Sequence, residues 1–204
     1  MSDTVLVLLT CHKDLKSRGG FQWPESGPVE APDWDPAPEC GGGLHGLTWG
    51  VGSGSLLNWS FDARWLAVEV VIADMIEFDG KCKFARGVVV YCGDRSGATE
   101  YIATRGGDRS KIVGAKVTGG NYATVTGGYG ATVTGGYGAK VTGGDGATVT
   151  GGDGATVTGG DDATVCARWW DGTRYRIAVG YVGEDGIEPN VAYRVGAGGK
   201  WEEA

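Results

Sequence analysis

Residues 115–166 read AKVTGG-NYATVTGG-YGATVTGG-YGAKVTGG-DGATVTGG-DGATVTGG-DDATVC, and alanine recurs at 115, 123, 131, 139, 147, 155 and 163 in a strict period of eight. A fixed short period predicts stacked coils rather than a globular core. Within each unit the half A-T-V-T alternates, so Ala and Val share one face and the two Thr share the other. The half G-G-Y-G or G-G-D-G is turn chemistry, read here as glycine accepting positive φ without steric cost. A short strand followed by a short corner folds the ribbon back on itself. Two units then make one flattened coil, with a Thr face on each side and a thin Ala/Val interior. Glycine at this density excludes a helix, since each would cost roughly 1 kcal/mol relative to Ala.

Two other readings of a Gly-rich repeat fail. A flexible linker does not keep Ala and Val two apart, unit after unit. A calcium β-roll needs the nonapeptide G-G-x-G-x-D-x-U-x. Here the position of the ligand Asp holds Thr132, Thr148 or Thr156, while Asp145, Asp153 and Asp161 sit at the corners. No metal and no cofactor are expected.

The stretch Gly128-Tyr129-Gly130-Ala131-Thr132-Val133-Thr134, repeated from Gly136 to Thr142 with Lys140 at the first Thr position, resembles the A-G-Y-G-S-T-x-T octapeptide of bacterial ice-nucleation proteins. The resemblance implies a β-solenoid whose ranked Thr-x-Thr motifs order water. The spacing from Lys13 to Trp23 and then Cys40 to Gly46 is similar to an uncharacterised N-terminal domain of phage and bacterial proteins. That second resemblance implies an architecture and no activity.

If two units make one coil, the two sides are unequal. One carries Thr132, Thr134, Thr148, Thr150 and Thr164, with Lys116 at its margin. The other carries Thr124, Thr126, Thr156 and Thr158 and is interrupted by Lys140. Thr is stiff at χ1, so its hydroxyls form a nearly rigid grid. The uninterrupted face is the one expected to order water, bind ice or pair with a second copy of the chain.

The remaining sequence sets the frame. A net charge of −7 and an absence of basic clusters argue against nucleic acid or an anionic membrane as partner. Cys11, Cys40, Cys82, Cys92 and Cys166 are odd in number and irregularly spaced, as reduced thiols of a cytoplasmic protein would be. Val5–Leu9 is too short for a signal peptide, and no long apolar run spans a membrane. A cytoplasmic protein is therefore expected.

Residues 1–112 read as an α+β domain. Thr4–Thr10 and Arg64–Ile72 are its best strands, followed by Met75–Phe78 and Gly87–Cys92. Phe21–Trp23 is a candidate second strand, the Pro-rich stretch Pro24–Glu39 a loop, and Ser96–Thr104 a helix capped by Ser96. An enzyme or effector would have to reside here, where Arg18, His45 and Glu69 could meet in a cleft, as in nucleotide-dependent transferases; a concave site joining Arg18 and His45 is the observation that would favour it. No nucleophile–base spacing supports catalysis, so a non-enzymatic protein is the expectation. Residues 113–166 form the solenoid. In residues 167–204, Asp171-Gly172 between aromatic and β-branched runs signals a hairpin. These strands are the expected cap on the open end of the coil.

Overall fold

The run V-L-V-L-L near the start forms β1 (Thr4–Cys11), and Leu6 to Leu9 are buried on both of its faces. The computed structural model describes residues 3–204 and divides into two units, 1–108 and 109–204. In the first unit β1 lies near the middle of a seven-stranded sheet. The other strands in chain order are β2 (Gly27–Glu30), β3 (Leu44–Thr48), β4 (Arg64–Val71), β5 (Met75–Phe78), β6 (Lys81–Phe84) and β7 (Arg86–Gly93). Across the sheet the order is β2-β7-β4-β1-β3-β6-β5, with antiparallel pairing. The helix α1 (Arg95–Ala103) packs on β1, β4 and β7, which explains why β1 is apolar on both faces. Val7, Leu9 and Cys11 join Leu66, Val68, Val70, Trp23 and Phe84 in the core.

Three details differ from the sequence reading. The helix is capped by Asp94, whose carboxylate accepts a hydrogen bond from the Gly97 amide at 2.8 Å; Ser96 lies inside the first turn. Phe21–Trp23 contributes one isolated bridge, Lys16 to Gln22, and the second strand instead arises inside the Pro-rich stretch. Pro28 is tolerated there because β2 is the sheet edge, where an amide can go unpaired. Neither β3, L-H-G-L-T, nor β6, K-C-K-F, is expected from the sequence, because Gly46 interrupts the first and lysines obscure the period of the second.

The second unit is the solenoid. Its strands β8 (Lys116–Thr118), β10 (Thr132–Thr134), β12 (Thr148–Gly151) and β14 (Thr164–Trp170) pair in parallel to form one sheet. A second sheet is formed in the same way by β9 (Thr124–Gly127), β11 (Lys140–Gly143) and β13 (Thr156–Thr158). Each residue pairs with the one sixteen positions on, as in Val133 with Val149 and Val149 with Val165. The coil therefore contains two octads. Val125, Val133, Val141, Val149, Val157 and Val165 are all 5% exposed or less, and Ala131, Ala139, Ala147 and Ala163 complete the thin core between the sheets.

The corners work differently from the sequence reading. Only the fourth corner residue has positive φ: Gly130, Gly138, Gly146 and Gly154 at 59° to 68°, and Tyr122 and Asp162 in the same place at 58° and 56°. The paired glycines are there for space. A Cβ on Gly143 would lie 2.5 Å from Val149 Cγ2 and 2.7 Å from Ala147 Cβ, and one on Gly144 would lie 2.9 Å from the Gly128 carbonyl carbon. The corner side chains also join coils. Asn121 Oδ1 accepts from the Tyr137 amide at 3.0 Å, and Asp145 Oδ1 from the Asp161 amide at 3.1 Å.

Past the last coil the chain reverses direction. The strand β15 (Tyr175–Tyr181) adds antiparallel to β14, and β16 (Ala192–Val195) adds antiparallel to β13. Finally β17 (Trp201–Glu203) pairs with β16. Val182, Ile187, Tyr193 and Trp201 pack against the Ala/Val interior. The Val182 amide donates to the Ala163 carbonyl at 2.9 Å, as the Thr164 amide does to Ala147, so the backbone ladder runs on into the cap. The whole is mainly β: a short two-sided solenoid with a sheet-and-helix unit before it and capping strands after it.

Candidate functional site

Parallel in-register pairing turns the Thr-x-Thr motifs into columns. On the first sheet one column runs Lys116, Thr132, Thr148, Thr164, and the neighbouring one runs Thr118, Thr134, Thr150, Cys166. Val and Ala turn inward at the alternate positions, so these side chains share the outer face. Thr148 is exposed, while Thr132, Thr134, Thr150 and Thr164 are half-buried. The five Thr named for this face are thus neighbours on one sheet. Thr118 completes their grid. The sequence reading omitted it although it occupies the same place in its octad, and Cys166 ends the second column where another Thr would fall.

The second sheet holds the columns Thr124, Lys140, Thr156 and Thr126, Thr142, Thr158. Thr142 belongs to this face and was also omitted. Lys140 is exposed and sits between Thr124 and Thr156. Its flexible ammonium occupies the middle of the column.

The first sheet has a further feature. Tyr175, Ile177, Val179 and Tyr181 alternate along β15 and are 45%, 70%, 50% and 55% exposed. They stand opposite Trp170, Arg168, Cys166 and Thr164 of β14, and directly paired residues project to the same face. The Thr grid therefore continues without a step into an apolar stripe on the terminal strand of the sheet. Period-two alternation of Y-R-I-A-V-G-Y was the available signal.

In the first unit, Arg18 and His45 line the same cavities, whereas Glu69 lines another with Pro28 and Arg86. Arg18 and His45 therefore share a concave site, and Glu69 is not part of it. Two buried thiols are muted. Burial, then the neighbouring Cys92, pushes the Cys11 thiol up to about 12, and burial pushes Cys82 up to about 11.

Comparison with known proteins agrees with the repeat. The chain is 41% identical over 108 residues to an ice nucleation protein of Pseudomonas syringae, a match covering 52% of this chain and 9% of that protein. It is 40% identical over 103 residues to one from Xanthomonas campestris pv. translucens, covering 50% of this chain and 7% of that protein. It is 41% identical over 102 residues to ice nucleation protein InaU of Pantoea ananas, covering 49% and 10%. The matched region is thus about a tenth or less of the length of these relatives. Residues 5–104 match a domain of unknown function, DUF7666. No solved structure matches. The octapeptide solenoid resembles the repeats of ice nucleation proteins. The expectation of a cytoplasmic protein is corrected by the same finding, because ice nucleation proteins are proteins of the cell surface. Irregular cysteine spacing excludes a disulfide framework but does not fix a compartment.

Proposed function

We propose that the chain is a non-enzymatic scaffold that orders water, and through it binds ice, on the face built from Thr132, Thr134, Thr148, Thr150 and Thr164. The observation behind this reading is the uninterrupted register of those residues across three consecutive coils. Hydroxyls two residues apart along a strand lie about 6.6 Å apart, and those one coil apart lie about 4.8 Å apart. β-branching restricts their rotamers, so water held on the grid loses its freedom against a surface that has little left to lose. Thr124, Thr126, Thr156 and Thr158 form the weaker second face, because Lys140 disturbs its middle. The test is ice-recrystallisation and droplet-freezing assays on the purified chain. Inhibited recrystallisation or raised freezing temperature relative to buffer supports the reading, and neither effect at any soluble concentration removes it.

Self-association is a second reading, favoured by the apolar stripe on β15. Exposed hydrophobic edge strands are templates for pairing with another chain. The strand begins beside Arg174 and ends before Glu184 and Asp185, so two copies joined antiparallel would set each basic end against an acidic one. A dimer in sedimentation experiments that Ile177→Lys converts to monomer is the expected result. Monomer at all concentrations would end this reading while leaving the ice assays to decide the first.

A further inference from the structure

The strand next to one edge of the first-unit sheet carries an unbalanced group of cations. On β6, Lys81 and Lys83 project from the face that also holds His45 of β3, since His45 pairs with Lys83 across the strands. Lys83 is 0% exposed. Its Nζ donates to the Gly41 carbonyl at 3.3 Å and lies 5.8 Å and 6.0 Å from the ring centroids of Trp34 and Phe78. It forms no ion pair with a carboxylate among the described residues. A buried ammonium without a counter-ion is costly, and two aromatic faces offset only part of that. Lys81 Nζ rests 2.8 Å from Cys40 Sγ and 4.9 Å from the Phe78 ring, again with no carboxylate. The buried Nε2 of His45 has no hydrogen-bond partner. Burial, then Lys81 and Lys83, hold the His45 ring below its ordinary value, which identifies positive potential at the site. The opposing charge is Asp33, and its Oδ1 is already engaged by the Gly43 amide at 3.0 Å.

Of these groups Lys81, Cys40 and His45 line an open cavity of about 470 Å³, within the range that holds a small molecule. Arg18, from the turn after β1, stands on its wall with His45 and Lys81, and Leu9, Leu47 and Leu57 form an apolar side. In a chain of net charge −7, a pocket combining two free cations, a neutral imidazole and a leucine wall is built for one kind of guest.

We propose that this cavity binds a small phosphomonoester, with the phosphate held by Arg18 and Lys81 beside the His45 ring and its organic body lying on the leucine wall. A dianion answers two cations, and its oxygens accept from guanidinium and ammonium together. A monocarboxylate would leave one cation unanswered. The site is independent of the solenoid and of what the Thr face does.

The experiment titrates the full chain with AMP as probe, and with adenosine as its uncharged control, following the His45 ring by NMR. The chain contains only His12 and His45, so the signal is readily assigned. AMP is expected to shift the His45 resonance saturably and to raise its pKa, since the anion favours the imidazolium. Adenosine leaves it in place. Arg18→Ala and Lys81→Ala, at exposed and half-buried positions, each weaken AMP by about tenfold, and added salt weakens it further. The absence of a saturable His45 shift with AMP overturns the proposal. So does an equal response to adenosine, or an AMP affinity unchanged in both variants.

Discussion

At the scale of single residues, glycine has two separate jobs in the repeat, and substitutions tell them apart. Gly143 has no room for a Cβ between Val149 and Ala147, whereas Gly146 has open space but a φ of +62°. Alanine at Gly143 overpacks a dry two-sheet interior and is expected to cost about 1–3 kcal/mol. Alanine at Gly146 meets only the left-handed penalty, about 1 kcal/mol. Chemical denaturation should therefore rank Gly143→Ala as the more damaging, and the reverse order would contradict a steric role for the pair. The sequence shows that glycine recurs at these positions. It does not show which constraint applies, because Gly143 meets Ala147 and Val149 of the next octad across the interior and Gly144 meets Gly128 one coil back, contacts that only the folded coil creates. Asp171 offers a second test. Its carboxylate accepts from the Arg174 amide at 2.8 Å, the Thr173 amide at 2.7 Å and Arg176 Nε at 2.6 Å, and these hydrogen bonds hold it down to about 2. A depressed carboxylate stabilises the fold above its unfolded value, near 4, and that contribution is lost as the pH falls from there through about 2. NMR titration of Asp171 should give a midpoint near 2 that Arg176→Gln raises only in part, because two of the three donors are backbone amides.

At the scale of elements, the strands were legible wherever hydrophobic period and glycine punctuation agreed. The repeat strands, β1, β4, β5 and β7 follow that rule. It breaks at β2, which lies in a proline-rich segment and exists because its edge position excuses Pro28. It breaks again at β6, where Lys83 occupies a fully buried position that composition would assign to the surface. The exceptions at β2 and β6 are created by tertiary neighbours, and β3, with Gly46 in its middle, carries no period that marks a strand. The Thr columns were legible because register follows from the period, but Thr118 and Thr142 were passed over and the β15 stripe was read only as cap. The interior of the coil sets the tolerance of these elements. Val141 is 1% exposed between two sheets with no polar group to receive a charge. Val141→Asp is expected to abolish the cooperative unfolding of the solenoid or lower its Tm by tens of degrees, whereas Thr142→Asp, on the outer face, should cost little. Equal melting of the two variants would mean that the ribbon is not a two-sided sandwich.

At the scale of the whole molecule, a short repeat between a sheet-and-helix unit and capping strands offers two unlike faces from one code. The octad is nearly constant, and the difference rests on the side taken by Lys140 against that taken by Lys116. Since octads alternate sides, one lysine disrupts a column in the middle and the other falls on the terminal strand β8, where the grid ends anyway. The central claim is that the sheet without a lysine in its middle is the working surface. It is tested most directly by comparing Thr148→Lys with Thr156→Lys in the full chain, both at outward positions that leave the Ala/Val interior intact, by ice shaping and recrystallisation at equal concentration. The account predicts that Thr148→Lys removes most of the activity of the parent and that Thr156→Lys leaves it nearly unchanged. Equal losses from the two, or full activity in Thr148→Lys, would contradict it.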